Sequence, residues 1–447
     1  MDIKQIIFSN KLTTYSLGLF FLGVSTFARS FMGIYIFKNF RLGEIVMAVS
    51  FLFFIICNIY LLIRKKDRLT IGNNFFIINF IIFISFFYIS YISDSQLFIT
   101  YTYKASSYIW TIGFFYLGYF YFKYNNLSVR YINLQLGVLV FIYFFSIIGL
   151  PKSVTNFFLS ISDKFEPHKG SDLMILFVTI LYLSNRIRKN SRLSFEIFIL
   201  FSSAFLPLML FKSRASFISL VLFLFIELLN YKKDTLLNLR RNIFLLFFSI
   251  LIFIFSIFLV SGSDFLIENQ ENFTAEIQYG IEYITSYRAD PDDEVFRLFY
   301  IADDVLGTKT TRIFSTDNNL NWRLQIWQDV YYDLLNKNKI FFGYGYNDII
   351  PAMQRIDRQG LDRLNENVHN YAVNLLARGG LLNLMIFSLL YFFLINKIKL
   401  KYGYLVTISY FIPVIFNAFF DVAMENSHFP LIFYFIIGML YNENEFN

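Results

Sequence analysis

Residues 368–396 read VHNYAVNLLARGGLLNLMIFSLLYFFLIN, a polar beginning that runs directly into an apolar segment. An apolar segment of roughly 20 residues is long enough to cross a bilayer as a helix. If the stretch is helical, Asn367, Asn370, Asn374 and Arg378 share one polar edge. Polar groups at membrane depth are costly unless they face protein or water. The pattern therefore predicts a cavity where a membrane helix meets a polar segment.

The rest of the chain has the composition of a polytopic membrane protein. Of its 447 residues, 56% are hydrophobic and only 16% are charged, which is too apolar for an ordinary soluble protein. We expect an all-α polytopic membrane protein with about twelve transmembrane helices and one large extracytoplasmic loop that contains short amphipathic helices. Cys57 is the only cysteine, so no intramolecular disulfide can form. The predicted spans fall near residues 12–30, 42–63, 72–92, 104–122, 131–150, 171–185, 194–211, 215–230, 242–261, 371–396, 402–420 and 428–441.

A long polar interruption divides the predicted spans into two groups. Residues 1–261 form an N-terminal transmembrane bundle of about nine spans, and residues 367–447 form about three C-terminal spans. Residues 262–366 form a large periplasmic loop or lid, which is too long to lack structure inside a compact protein.

The loop contains a pattern that is typical of an amphipathic helix. We expect this helix to begin near Asp317 and to end before Gly343-Tyr344-Gly345. We also expect it to lie along the membrane surface, with Trp322 and Trp327 at the interface. Its predicted apolar stripe is Trp327, Val330, Tyr331, Leu334 and Leu335.

Charge distribution predicts the orientation of the chain. Residues 262–366 contain ten Lys/Arg and eighteen Asp/Glu, so the net charge of +7 arises elsewhere, in short basic loops between alternate spans. The positive-inside rule places these loops and both termini in the cytoplasm, and the large loop outside. The positive charge thus indicates the orientation of the chain in the membrane. It does not indicate a nucleic acid, and we expect none as a partner.

The short cytoplasmic loops restrict the chemistry. They leave no room for a domain that binds ATP or a nucleotide sugar, and no G-x-x-x-x-G-K-[ST] loop is present. Any reaction should therefore use an activated substrate that already lies on the outer side.

His369 is the first candidate for catalysis. With an ordinary pKa of about 6.5, a histidine can accept a proton from a hydroxyl group near neutral pH. The alternative is an interfacial histidine that caps a helix or bonds a loop carbonyl. His168 and His428 carry less weight, because neither follows such a polar stripe.

Two arginines are candidates for binding an anion. Arg214 lies in a very short outer turn, and Arg323 lies on the predicted loop helix. A guanidinium group binds phosphate oxygens in a bidentate manner. Snorkelling of Arg214 to lipid phosphate and a solvated position for Arg323 are the alternatives.

We interpret the acidic residues as structural before we consider a role in binding. The run Asp290–Glu294 is more typical of a solvated turn than of a cation site, and we expect no metal. Asp421 and Glu425 are four residues apart at the outer end of two spans, where they could cap the structure or bind an acceptor.

In architecture and in three local patterns the chain resembles the bacterial O-antigen polymerase (Wzy) and O-antigen ligase (WaaL) proteins. The resemblance covers roughly residues 170–441, and the order of the patterns around one long loop makes the set specific. The patterns are Ser213-Arg214; Arg323 with Trp327, Gly343 and Gly345; and His369-Asn370 with Leu375 and Gly379-Gly380.

The resemblance implies a metal-independent, inverting glycosyl transfer without a cofactor. Arg214 and Arg323 would bind the diphosphate of an undecaprenyl-linked oligosaccharide, and His369 would be the catalytic base. Asn370, Asn374, Arg378 and Glu425 would line the cavity or bind the acceptor. The resemblance also implies a multi-pass protein of the bacterial inner membrane, with a chain-length regulator and a flippase as partners.

The acceptor separates the possible functions. A polymerase adds a glycan to another lipid-linked repeat unit, whereas a ligase transfers it to the lipid A-core. The length of the loop and the Phe/Ile/Asn/Lys-rich composition favour a polymerase. A polysaccharide flippase or transporter is the second alternative, but such proteins usually contain paired repeats, and none is evident in this chain. A sensor that binds without turnover is a further alternative.

Overall fold

The computed structural model describes residues 11–37, 40–97, 99–162, 165, 167–188, 191–231, 239–268, 299–303, 311–355, 358 and 365–442. The acidic run 290–294 lies outside the described residues. The helices are α1 (Lys11–Met32), α2 (Leu42–Ile63), α3 (Lys65–Ile71), α4 (Asn73–Ile92), α5 (Thr100–Ala105), α6 (Ser107–Trp110), α7 (Gly113–Tyr124), α8 (Val129–Ile148), α9 (Lys152–Ile161), α10 (Gly170–Ile187), α11 (Ser191–Lys212), α12 (Arg214–Asn230), α13 (Leu239–Ser261), α14 (Asn318–Asn336), α15 (Tyr371–Tyr402), α16 (Tyr404–Ala418) and α17 (His428–Tyr441). The strands are β1 (Tyr35–Phe37), β2 (Phe40–Arg41), β3 (Phe299–Asp303) and β4 (Thr311–Ser315).

The fold is that of an all-α polytopic membrane protein. Among the described residues, seven helices are long and apolar enough to cross a membrane, and α16 and α17 are shorter apolar helices. Eleven of the twelve predicted spans each coincide with one described helix. Helices α1 and α12 are not among the nine apolar helices, so the count of about twelve stays a prediction. Short polar side chains begin several of the helices, because an oxygen at the N-cap accepts a hydrogen bond from an otherwise unpaired amide. These N-caps are Ser128, Ser213, Asp317 and Asn370.

The prediction of one continuous span over residues 104–122 is wrong. The structure divides this region into α5, α6 and α7. The Ser50 hydroxyl on α2 donates to the free carbonyl of Trp110, and Gly113 lies so close to α2 that an added Cβ would be 1.9 Å from the Ser50 carbonyl oxygen. The hydrogen bond from α2 therefore provides a partner for the Trp110 carbonyl at the interruption. An apolar sequence gives no sign of this contact.

The C-terminal helices pack into the bundle that the first half of the chain forms. α17 packs against α7, α16 against α12, and α15 against α4. Glycines allow the closest of these contacts: a Cβ on Gly118 would lie 2.1 Å from the Phe435 carbonyl, and one on Gly438 would lie 2.2 Å from the Phe115 carbonyl. Small residues let helix backbones approach closely in this way.

The described part of the large loop forms a small folded layer. The predicted helix is confirmed as α14, with the Asp317 carboxylate accepting from the Leu320 amide at 2.9 Å. Its packed face is Trp322, Ile326, Val330 and Leu334, all of which are buried.

The predicted apolar stripe on this helix is therefore wrong in part. Tyr331 and Leu335 are 47% and 40% exposed, because the buried face follows intervals of four residues that begin at Trp322. Trp322 itself lies within the core of the loop layer and contacts the ring of His369. Antiparallel strands β3 and β4 complete the layer, with β4 against α14.

A broken helix joins the loop layer to the membrane bundle. Within α15, Gly380 adopts a φ of 66°, which interrupts the helical hydrogen bonds. The amides of Leu381 and Leu382 donate instead to Ile340 and Phe341, at 2.9 and 3.2 Å. In return, the amides of Tyr344 and Gly345 donate to Ala377 and Arg378, at 2.7 and 3.0 Å.

The glycines at 343 and 345 have a different purpose from the predicted one. α14 already ends at Asn336, so these residues do not break it. Gly343 and Gly345 have φ values of 70° and 80°, and a Cβ on Gly343 would lie 2.6 Å from the Ala377 carbonyl. Gly343 allows the loop backbone to lie directly against the broken helix, whereas a Cβ on Gly345 would lie 2.0 Å from the Ser93 hydroxyl oxygen.

Gly343→Ala should destabilise the protein, whereas Gly137→Ala should not. The first substitution adds a Cβ that clashes with backbone at a left-handed φ, which together should cost about 2 kcal/mol or more. Gly137 lies inside α8 with no atom within 4 Å of an added Cβ. Thermal unfolding in detergent measures both, and equal midpoints would contradict the assigned contact.

Candidate active site

His369 lies at the junction of the loop layer and the membrane bundle. It immediately precedes Asn370, the N-cap of α15, and its φ of 51° is unusual for a residue with a side chain. Strained backbone of this kind is often found at functional sites. The ring lies 5.1 Å from that of Trp322, and its buried Nε2 has no hydrogen-bond partner in the described part of the chain.

The surroundings of His369 keep its imidazole neutral. Burial and the positive charge of Arg323 lower the pKa of His369 to about 3, while the Asp421 carboxylate opposes this shift. A neutral imidazole with an unpaired nitrogen can accept a proton. The proton affinity would increase if an anion neutralised the neighbouring guanidinium.

Arg323 connects α14 to the segment that follows α16. Its Nη1 donates to the carbonyl of Phe420, and its buried Nε has no partner among the described residues. Burial lowers the pKa of Arg323, but a guanidinium remains charged in proteins. An unpaired N–H on a buried cation is a position where an anion oxygen could bind.

Arg214 is connected to the same site by the carboxylate of Asp317. It is the first residue of α12, its side chain is 78% exposed, and it forms an ion pair with Asp317. Asp317 begins the helix that carries Arg323, and its charge acts on Arg323. The structure thus brings Arg214, Arg323 and His369 into one charged cluster, although an exposed ion pair contributes little stability.

Sequence reasoning named Asp421 but missed Arg29 and Asp172, which lie close to it in the structure. The Asp421 carboxylate lies 4.0 Å from Arg29 Nη2, and Arg29 and Lys169 both act on the charge state of His369. Arg29 also pairs with buried Asp172, which in turn contacts His428 Nε2 at 2.7 Å. One signal could have found Arg29: it is the only charged residue in the predicted span 12–30, and an ionisable residue in such a span is a candidate for function.

The residues of the predicted polar edge of α15 have different roles in the structure. The Asn370 side chain caps the helix by accepting from the Val373 amide at 3.1 Å. Arg378 donates to the Asp348 carbonyl at 2.6 Å and to the Tyr101 hydroxyl at 3.2 Å, so it holds the loop against the helix break. Asn374 is buried, and its Nδ2 has no partner within the described residues.

Glu425 lies beside this polar edge. Burial raises the pKa of Glu425 to about 7, which Arg378 opposes and the Asp421 carboxylate reinforces. The backbone carbonyl of Glu425 accepts from the Ser107 hydroxyl at 3.3 Å. The carboxyl group can therefore change its charge near neutral pH.

The fold and the charged cluster define an integral membrane protein with a candidate active site between its bundle and a folded loop. Residues 197–388 match the family model described as O-Antigen ligase, a range that contains Arg214, Arg323, His369 and the break at Gly380. This match confirms the resemblance to the O-antigen polymerase and ligase family, whose members are glycosyltransferase-like membrane enzymes that act on lipid-linked glycans. A comparison with curated proteins yields no match.

The raised pKa of Glu425 predicts a pH-dependent stability. The folded protein keeps a proton on this group that the unfolded chain loses above its ordinary pKa of 4.5, so stability falls as the pH rises from there to about 7. Glu425→Gln should remove this loss and stabilise the protein above pH 7, by up to ~3 kcal/mol.

Thermal midpoints between about pH 5 and pH 8 measure this effect. Glu44→Gln, which alters an exposed carboxylate near the start of α2, is the control. A wild type and a Glu425→Gln variant with parallel pH profiles would contradict the prediction.

Proposed function

We propose that the protein joins lipid-linked oligosaccharide units by glycosyl transfer, as an O-antigen or surface polysaccharide polymerase on the outer face of the inner membrane. The observation that carries this proposal is the cluster of Arg214, Arg323 and His369, drawn together from three separate segments. The donor would be an undecaprenyl-diphosphate-linked repeat unit.

The arginines would bind the diphosphate of the donor. Arg323 offers an Nε that has no partner among the described residues, and Arg214 has an exposed side chain that can exchange Asp317 for a phosphate oxygen. Negative charge develops on the diphosphate as it leaves the sugar. Fixed cations beside that charge stabilise the transition state, which is usually the largest catalytic contribution.

His369 would deprotonate the attacking hydroxyl group of the acceptor. The acceptor oxygen forms a bond to the anomeric carbon, the bond from that carbon to the diphosphate oxygen breaks, and the proton passes to His369. The two negative charges of the bound diphosphate would offset the effect of Arg323, so the pKa of His369 would rise when the donor binds. Asp421 would stabilise the resulting imidazolium. A single displacement inverts the configuration of the sugar.

The cavity-lining residues would bind the acceptor. Asn374 has a buried amide without a partner among the described residues, and Glu425 provides a carboxyl group nearby. Both can bond sugar hydroxyls. Asn370 and Arg378 would then support the site by capping α15 and by holding the loop.

His369→Gln should lower kcat by about 10²- to 10⁴-fold, because it removes the base but keeps a polar side chain of similar size. The measurement is glycosyl transfer by purified protein with lipid-linked repeat units. Asn367→Ala, which alters an exposed neighbour, should retain full activity. Full turnover by His369→Gln would refute the assignment of the base.

An O-antigen ligase is the alternative function, and the description of the matched family favours it. The two functions differ in acceptor, so the surface glycan of a deletion strain separates them. Loss of polymerase activity should leave single repeat units attached to the core, whereas loss of ligase activity should leave no attached repeat units. An unchanged profile would contradict both functions.

A further inference from the structure

Arg29 and Lys11, the first residue of the helix, are the two charged residues of α1. Arg29 occupies the last turn of α1, one residue after a kink at Ala28, where φ is 40° and ψ is −110°. Ala28 itself is buried. A charged side chain in a membrane span is costly and usually faces a functional cavity.

Asp172 of α10 holds the guanidinium of Arg29, and His428 of α17 in turn contacts Asp172. The Nε of Arg29 donates to Asp172 Oδ2 at 3.0 Å, and Asp172 lies in the first turn of α10 with a side chain that is only 1% exposed. The second oxygen of Asp172 contacts His428 Nε2 at 2.7 Å, at the start of α17. Both oxygens of the carboxylate are thus engaged, which limits the orientations of Arg29.

The held guanidinium points towards the candidate active site. Its Nη2 lies 4.0 Å from Asp421, and Asp421 interacts electrostatically with both Arg323 and His369. The side chain of Arg29 is still 16% exposed, so a ligand can reach it. Two guanidinium groups, from Arg29 and Arg323, therefore flank a single carboxylate beside the candidate base.

We propose that Arg29 is a third arginine of the diphosphate site, contributed by the first helix and held in place by Asp172, which His428 contacts in turn. The ligand is the diphosphate of a polyprenyl-linked glycan, so this inference rests on the proposed function. Three guanidinium groups around the diphosphate suit its two negative charges and several oxygens better than two would. The N-terminal helix, which lies outside the matched range 197–388, then belongs to the substrate site.

The opposing explanation is that Arg29 only ties α1 to α10. Ion pairs between buried groups can hold elements together without contacting a substrate, and removal of one partner destabilises the fold. The two explanations differ in whether loss of the charge weakens binding of a diphosphate in a protein that is still folded.

The test uses the full-length protein in lipid nanodiscs and undecaprenyl diphosphate as the probe. Arg29→Gln should raise its dissociation constant at least about tenfold, while Arg29→Lys, which keeps the charge but cannot bind two oxygens at once, should raise it only about threefold. In the transfer assay, Arg29→Gln should raise KM for the donor and leave KM for the acceptor unchanged. Arg323→Gln is the positive comparison.

The control is Arg41→Gln, which alters an exposed arginine next to α2 and should change neither constant. If Arg29→Gln binds the probe with wild-type affinity but has a lowered thermal midpoint, the inference is overturned. Arg29 then only connects α1 to α10. If Arg29→Gln does not fold, Arg29→Lys decides, because only a role in binding predicts a change in its affinity for the probe at an unchanged thermal midpoint.

The wild-type protein distinguishes failure of this inference from failure of the proposed function. Absence of glycosyl transfer by the wild type refutes the proposed function, whatever the Arg29 variants bind. Transfer by the wild type together with unchanged binding in Arg29→Gln refutes the role of Arg29 alone. Transfer by a wild type that does not bind the probe also refutes the role of Arg29 alone.

Discussion

The backbone contact between residues 340–345 and the broken helix α15 is the constraint on which the rest of the structure depends. A break in a membrane helix leaves amides and carbonyls without partners, and each such group is costly where no water is present. Here the loop provides the partners, with two hydrogen bonds in each direction between residues 340–345 and 377–382. Gly343 is required because the two backbones lie too close for a Cβ.

This contact determines where the charged residues lie. It fixes the loop layer on the bundle, so that α14 brings Arg323 beside the segment 419–421 and places Trp322 against His369. Arg378 strengthens the same contact by donating to loop carbonyls from the helix side. The imidazole is then buried beside the positive charge of Arg323, which lowers the pKa of His369 and keeps the ring neutral, while Asp421 opposes this shift.

Much of the fold could be predicted, because hydrophobic periodicity and capping are local properties. The spans, the N-cap at Asp317 and the loop helix all follow from a few neighbouring residues. The break at residues 106–112 could not be predicted in this way, because the groups that satisfy it belong to α2. Likewise, the true apolar face of α14 depends on what packs against it, and Tyr331 and Leu335 fit the pattern but remain exposed.

The sequence by itself determined a polytopic membrane protein with one long loop, and it singled out Arg214, Arg323 and His369 as the residues able to bind an anion and move a proton. Residue type and position relative to the spans made them candidates, and the resemblance to the O-antigen polymerase and ligase proteins implied their roles. Only the tertiary structure decided that these residues lie together, that Asp317 connects Arg214 to α14, and that Arg29, Asp172 and Asp421 complete the cluster. The reason is that electrostatic interactions act over a few ångströms in space, whereas these residues come from widely separated segments of the chain.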